Sequence, residues 1–141
     1  QKIGVDPFDK KFTPHWLSNN LSCKNGMIKH LLLNQKFICG LGNIYTDEIL
    51  WKTHIHPKHI AKKIKNTDFL YQNIISTLNE SIKFHGTTIM NFRFDNMKTG
   101  DYKSKLEVYG KQNFPCKRCQ EKIIKIKIAG RGTYVCINCQ K

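Results

Sequence analysis

The sequence predicts a mainly α-helical fold with a small β part, the β part confined to the C-terminal quarter. Three observations carry that expectation. Before residue 86, apolar side chains recur three and four apart in several stretches, the spacing of helix faces. Ile124, Ile126 and Ile128 then alternate with lysines, the period of a strand. Four of the six cysteines stand in Cys-x2-Cys pairs on either side of that strand. A chain of 141 residues, 40% hydrophobic and 24% charged, suits one ordinary domain or two small ones and is not disordered by composition.

Residues 1–12, with Gly4, Pro7 and alternating charge, read as a linker. Thr13-Pro14 starts a helix, an N-cap hydroxyl before a proline at the first helical position, and His15 to about Leu21 continue it. A second helix is expected from Gly26 to Asn34, with Met27, Ile28, Leu31 and Leu32 on its apolar face. Gly40 and Gly42 close the next connection and permit tight successive turns, because glycine tolerates positive φ. Asn43 then caps a helix from Ile44 to about Lys52. The unit is helix, double turn, helix, and the free amides at the start of its second helix make a phosphate site. Asn66-Thr67 caps the next helix, whose stripe of Leu70, Ile74, Leu78 and Ile82 should be core down to Gly86. Thr87 to Ser104 shows no period and reads as a long loop, a type often functional. Ile124–Ile128 is a strand, Ala129-Gly130-Arg131-Gly132 a turn, and Thr133-Tyr134-Val135 the return.

Charge narrows the function. The net charge is +14, a self-repulsion that an anionic partner relieves, and nucleic acid is the first candidate. The charge is spread along the chain and not gathered on one amphipathic helix, which disfavours a membrane surface. No apolar run approaches the ~18 residues of a membrane span, and the first residues are no signal peptide. Lysine outnumbers arginine 21 to 3, so Arg93, Arg118 and Arg131 mark places where a planar fork matters.

Cys116, Cys119, Cys136 and Cys139 carry the strongest signal. Each pair turns two thiolates toward one point, and a hairpin between the pairs brings all four around one zinc ion. Disulfides or buried free thiols are the bland alternatives, and a basic chain without a secretion signal argues against the first. Four protein ligands leave no open position, so the zinc is expected to be structural. Cys23 and Cys39 fall outside the pattern and read as small buried hydrophobes. Arg131, between two glycines at the expected hairpin tip, is either a solvated turn residue or a guanidinium reaching for phosphates. His54, His56 and His59 read as polar residues closing a helix end, since Pro57 breaks any ligand spacing. Asp47 and Glu48 are adjacent on a helix and cannot form one acid/base pair, and Glu48 reads as a structural anion meeting Lys29. No nucleophilic triad and no Walker-type loop is present in the sequence.

Taken in order, Gly40-Leu41-Gly42-Asn43-Ile44-Tyr45, Glu48, Ile55-His56-Pro57, Gly86-Thr87-Thr88, Val108-Tyr109-Gly110, the two Cys-x2-Cys pairs and Gly130-Arg131-Gly132-Thr133 form one pattern. Across essentially the whole chain that pattern resembles the C-terminal half of bacterial formamidopyrimidine-DNA glycosylases. The resemblance implies a helix–two-turn–helix DNA-binding domain followed by a four-cysteine zinc-finger β-hairpin. Its implied boundaries are an interdomain linker at 1–12, the helical domain at 13–105 with a base-capping loop at about 87–104, and the zinc finger at 106–141. It further implies base-excision repair of oxidised purines, 8-oxoguanine and formamidopyrimidines, by a monomeric glycosylase and AP lyase in the cytoplasm or another DNA-containing compartment.

By that resemblance Asn43, Arg131, Lys29 and Tyr109 are the DNA-binding residues, the partner is double-stranded damaged DNA, and the one cofactor is zinc. Gly100-Asp101-Tyr102 departs from the family's aromatic pair in the capping loop. The family's N-terminal proline nucleophile and its neighbouring glutamate are not among these residues, where position 1 is Gln1, so the chain as it stands should be inactive. Two other classes stay open: a stand-alone zinc-containing nucleic-acid-binding module without catalytic activity, and an RNA-binding protein with a similar helical motif.

Overall fold

The computed structural model describes residues 3–85 and 105–141. The expected capping loop at 87–104, with Arg93 and Gly100-Asp101-Tyr102, lies outside the described residues. Among the described residues, four α-helices precede one hairpin: α1 (Pro14–Leu21), α2 (Ile28–Leu33), α3 (Asn43–Lys52), α4 (Thr67–His85), β1 (Ile124–Ile128) and β2 (Arg131–Val135), with a 3-10 turn at Ala61–Lys63.

Helix starts follow local chemistry. The Thr13 hydroxyl accepts from Trp16 N at 3.0 Å and Pro14 opens α1. Asn66 Oδ1 accepts from Phe69 N at 3.1 Å at the start of α4. Helix α2 is shorter than its apolar spacing suggests. Met27 bridges Ile60, and the amides of Ile28 and Lys29 are claimed by the carbonyls of His59 and Pro57, so the chain before Ile28 is held extended by a distant segment. At α3 the cap is Gly42 and not Asn43, which is itself the first helical residue. Of the two glycines before α3, only Gly40 takes positive φ, at 95°, where a side chain would be strained.

Leu17 and Leu21 of α1, Ile28 and Leu32 of α2, Ile49 and Leu50 of α3 and Leu70, Ile74 and Leu78 of α4 form one core. Ile82, by its spacing the next member of the α4 stripe, is instead 52% exposed. The segment read as a linker docks on this core. Phe12 is buried, and Gly4, Val5 and Cys39 exchange backbone hydrogen bonds that run residues 4–5 beside 35–39. A Cβ on Gly4 would lie 2.4 Å from the Phe37 carbonyl carbon, so only glycine permits this approach.

A second cluster joins Trp51 of α3 to Val108, Cys116, Ile123, Tyr134 and Cys136. Its hairpin pairs antiparallel from Ile124↔Val135 to Ile128↔Arg131. The turn is therefore two residues, Ala129 and Gly130, both at positive φ (52° and 77°), as a right-twisted hairpin demands. It is shorter than the four-residue turn the sequence suggests, and Arg131 is the first residue of β2.

Candidate nucleic-acid interface and zinc site

The four sulfurs of Cys116, Cys119, Cys136 and Cys139 lie within 4.8 Å of one another. Cys116 and Cys139 are 3.7 Å apart, Cys119 and Cys136 3.4 Å. Sulfurs at about 2.3 Å from one tetrahedral ion stand about 3.8 Å apart, so this donor set fits zinc. Each Cys-x2-Cys folds the same way. Arg118 N donates to Cys116 Sγ and Cys139 N to Cys136 Sγ, both at 3.4 Å, while Gln120 N and Gln140 N close the turns on the carbonyls of Cys116 and Cys136. Gln120 sits at φ 72° to make its turn.

Lys29, Asn43, Tyr109 and Arg131 come from four separate segments and meet where α3 begins and β2 returns. Asn43 Nδ2 donates to the Gly132 carbonyl at 3.1 Å and to the Tyr109 hydroxyl at 3.3 Å, leaving its buried Oδ1 without a partner. Lys29 Nζ donates to Asp47 Oδ1 at 2.8 Å, Thr133 Oγ1 at 2.7 Å and the Gly132 carbonyl at 3.4 Å. Lys29 is wholly buried, whereas Arg131, one residue before that shared carbonyl, is exposed. The Tyr109 ring meets the Tyr134 ring edge-on, with centroids 4.7 Å apart.

Behind this surface sit two carboxylates that adjacent positions on α3 send in different directions. Lys29 pairs with Asp47, not with Glu48 as the sequence suggests, because Asp47 is the one aimed at α2 and β2. Asp47 Oδ2 also accepts from Tyr134 N at 2.9 Å. Burial pushes Asp47 up to about 6, against the pull of the Lys29 ammonium, and burial likewise lowers Lys29. Glu48 accepts three backbone amides, those of Glu107, Val108 and Tyr109, at 2.8–2.9 Å. Burial raises its pKa and these donors oppose the rise. Glu48 is thus a structural anion, but the segment it holds is the one carrying Tyr109. Sequence reasoning misses Asp47 as a site residue because its partners are 18 and 87 residues away, beyond any local spacing.

The histidines do what chain closure requires. His54 takes positive φ after α3, His56 Nδ1 accepts from Lys58 N, and His59 Nδ1 pairs with the Lys141 carbonyl. Among the described residues only the four cysteines cluster as metal ligands. Cys23 is exposed and Cys39 half-buried, so neither is the buried hydrophobe expected.

Residues 3–93 match the formamidopyrimidine-DNA glycosylase H2TH domain family, and residues 113–141 match the zinc finger found in FPG and IleRS. With that match, the four-sulfur cluster holds one structural zinc ion. The chain is 44% identical to the formamidopyrimidine-DNA glycosylase of Lactobacillus helveticus and 40% identical to that of Bacillus licheniformis, covering 99% and 100% of this chain. It spans about half the length of these relatives, 51% and 52%. Among solved structures it superposes on Lactococcus lactis formamidopyrimidine-DNA glycosylase bound to DNA with an AP site (TM-score 0.85, 37% identity, 99% of this chain and 50% of that one). It superposes equally on that protein bound to DNA containing FAPY-dG (TM-score 0.85, 38% identity, 99% and 51%).

Proposed function

Because this chain belongs to the formamidopyrimidine-DNA glycosylase H2TH family, we propose that it is the damaged-DNA-binding half of a base-excision repair glycosylase and AP lyase acting on oxidised purines. The observation that carries the reading is the convergence of Asn43, Tyr109 and the residues flanking Arg131 on one edge of the molecule, held from behind by Lys29 and Asp47. At that edge the N-terminal end of α3 presents its positive dipole to a phosphate, and the Arg131 guanidinium gives two parallel hydrogen bonds to phosphate oxygens. Tyr109 and Asn43 would add neutral donors. Lys29, enclosed on three acceptors, would work by fixing the Gly132 carbonyl and so the direction of Arg131. Phosphate contacts of this kind grip and orient the duplex, which is what an enzyme must do to take a base out of the stack.

The chemistry would come from outside these 141 residues, because the amine nucleophile the resemblance implies is not among them. The boundaries read from the sequence would divide labour the same way, phosphate grip and base capping in 13–105 and a stapled arginine in 106–141. The setting would be a compartment that contains DNA. The test is titration of the zinc-loaded chain with duplex DNA carrying an abasic site or 8-oxoguanine. The expected result is binding whose affinity falls steeply with salt, with no excision and no borohydride-trapped adduct. Binding insensitive to salt would overturn the phosphate-grip reading. A trapped adduct would reveal a nucleophile within this chain.

A further inference from the structure

Two residues that neither ligate the metal nor face the proposed DNA edge are built against the zinc thiolates. The Trp51 indole, 6% exposed near the end of α3, donates its Nε1 hydrogen to Cys116 Sγ at 3.4 Å. Arg118 lies in the first Cys-x2-Cys turn, and its guanidinium carbon stacks 3.7 Å from the centre of a Trp51 ring. Its Nη2 donates to the Trp51 carbonyl at 2.6 Å. The indole thus touches a metal ligand directly, and the guanidinium holds the indole. A zinc ion with four thiolates carries a net charge of −2, so a polarised N–H on one of its sulfurs and a cation held on the same indole stabilise the loaded site. The Trp51 carbonyl, which also accepts from His54 N at 3.2 Å, lies at a helix C-terminus, where a guanidinium is favoured by the helix dipole.

We propose that Trp51 and Arg118 act as a paired outer sphere for the zinc centre, so that tight metal retention requires the hairpin to be seated on the end of α3. Each member supports the other. The indole gives the guanidinium a flat face to rest on, and the guanidinium fixes the ring so that Nε1 meets the sulfur. Scarcity already sets Arg118 apart, since lysine takes nearly every other basic position. A lysine could not lie flat on the indole while donating to the Trp51 carbonyl.

The full chain is loaded with zinc, and zinc affinity is measured by competition with a chromophoric chelator for the parent, Trp51→Phe, Arg118→Lys, Arg118→Ala and the exposed control Lys122→Ala. Trp51→Phe keeps an aromatic ring for stacking and removes the N–H donor. Trp51→Phe and Arg118→Lys are each expected to weaken zinc binding about tenfold or more, Arg118→Ala at least as much, and Lys122→Ala less than twofold. Arg118→Lys keeps the charge and stands in for Arg118→Ala if the latter does not fold at saturating zinc. In the cobalt-loaded chain, Trp51→Phe should shift the thiolate-to-metal charge-transfer band to longer wavelength, because a thiolate relieved of a hydrogen bond is the better electron donor. Parent-like zinc affinity in either Trp51→Phe or Arg118→Lys would overturn the pairing, and an unmoved cobalt band would overturn the hydrogen bond to Cys116.

Discussion

Replacing Asp47 by asparagine changes one atom and should cost the fold more than any surface mutation. Asp47 Oδ1 faces the Lys29 ammonium at 2.8 Å and Oδ2 faces Tyr134 N at 2.9 Å, so both oxygens meet donors. Whichever way an asparagine amide is turned, its NH2 confronts one of those donors. Lys29 is fully buried and would be left with only the Thr133 hydroxyl and the Gly132 carbonyl. Breaking a buried pair by removing one partner costs about 3–5 kcal/mol, a large share of the ~5–15 kcal/mol that holds a typical domain together. In urea, with zinc present and tryptophan fluorescence as the probe, the midpoint should fall by on the order of 2 M for a slope of about 1–3 kcal/mol/M. The double variant Lys29→Met, Asp47→Leu should recover more than half of the loss, since it buries no unpaired charge. Burial holds the folded-state pKa of Asp47 near 6, above its ordinary 3.8, so the native state binds the proton more tightly than the unfolded chain. The stability difference between parent and Asp47→Asn should then move in the parent's favour as pH falls from 7 toward 4, by at most about 1.4 kcal/mol per pH unit. A loss below about 1 kcal/mol at pH 7, or no recovery in the double variant, would refute the reasoning.

Arg131→Lys should weaken duplex binding at fixed salt and Arg131→Ala more so, with zinc content unchanged and Lys141→Ala nearly silent; equal affinity for parent and Arg131→Ala would make the residue an ordinary strand end. Glu48→Gln should cost about 1.5–3 kcal/mol in urea unfolding, because one amide oxygen cannot serve the three backbone donors at Glu107–Tyr109. It should also weaken DNA binding by releasing Tyr109, and unchanged amide-exchange protection at 107–109 would contradict this. Zinc removal by a chelator should abolish the fluorescence signature of Trp51 and the β signal while much of the helical circular dichroism survives, because the helices have a core separate from the cysteine cluster. Simultaneous loss of both signals would count against two separable cores.

What is legible in the sequence is what depends on neighbours along the chain. Thr13, Pro14 and Asn66 declare helix starts because their partners lie within three residues, and Cys116, Cys119, Cys136 and Cys139 declare themselves by spacing. The start of α2 is not legible, because its first amides are taken by His59 and Pro57 from across the fold. Lys29 is recognised by resemblance, but its partner is misjudged, since the choice between Asp47 and Glu48 depends on how α3 is rotated against α2 and β2. Scarcity among arginines singles out Arg118, but nothing near it in the chain tells that its plane rests on Trp51. Composition points toward a class of partner, and tertiary packing carries the wiring of the surface proposed to meet it.

A hairpin closed by Ala129 and Gly130 leaves no slack in length. One residue inserted within β1 or β2 would slip the pairing, and the side chains of β2 would exchange faces. Thr133 and Val135, now fully buried, would be driven outward, and Arg131 would point at the opposite side of the ribbon. The zinc ligands on either side make this worse, because Cys119 and Cys136 must still meet after any change between them. An insertion within either strand should therefore cost far more than a substitution at the same place. The place of Arg131 relative to the four cysteines is thereby set by residue count, whatever side chain stands there.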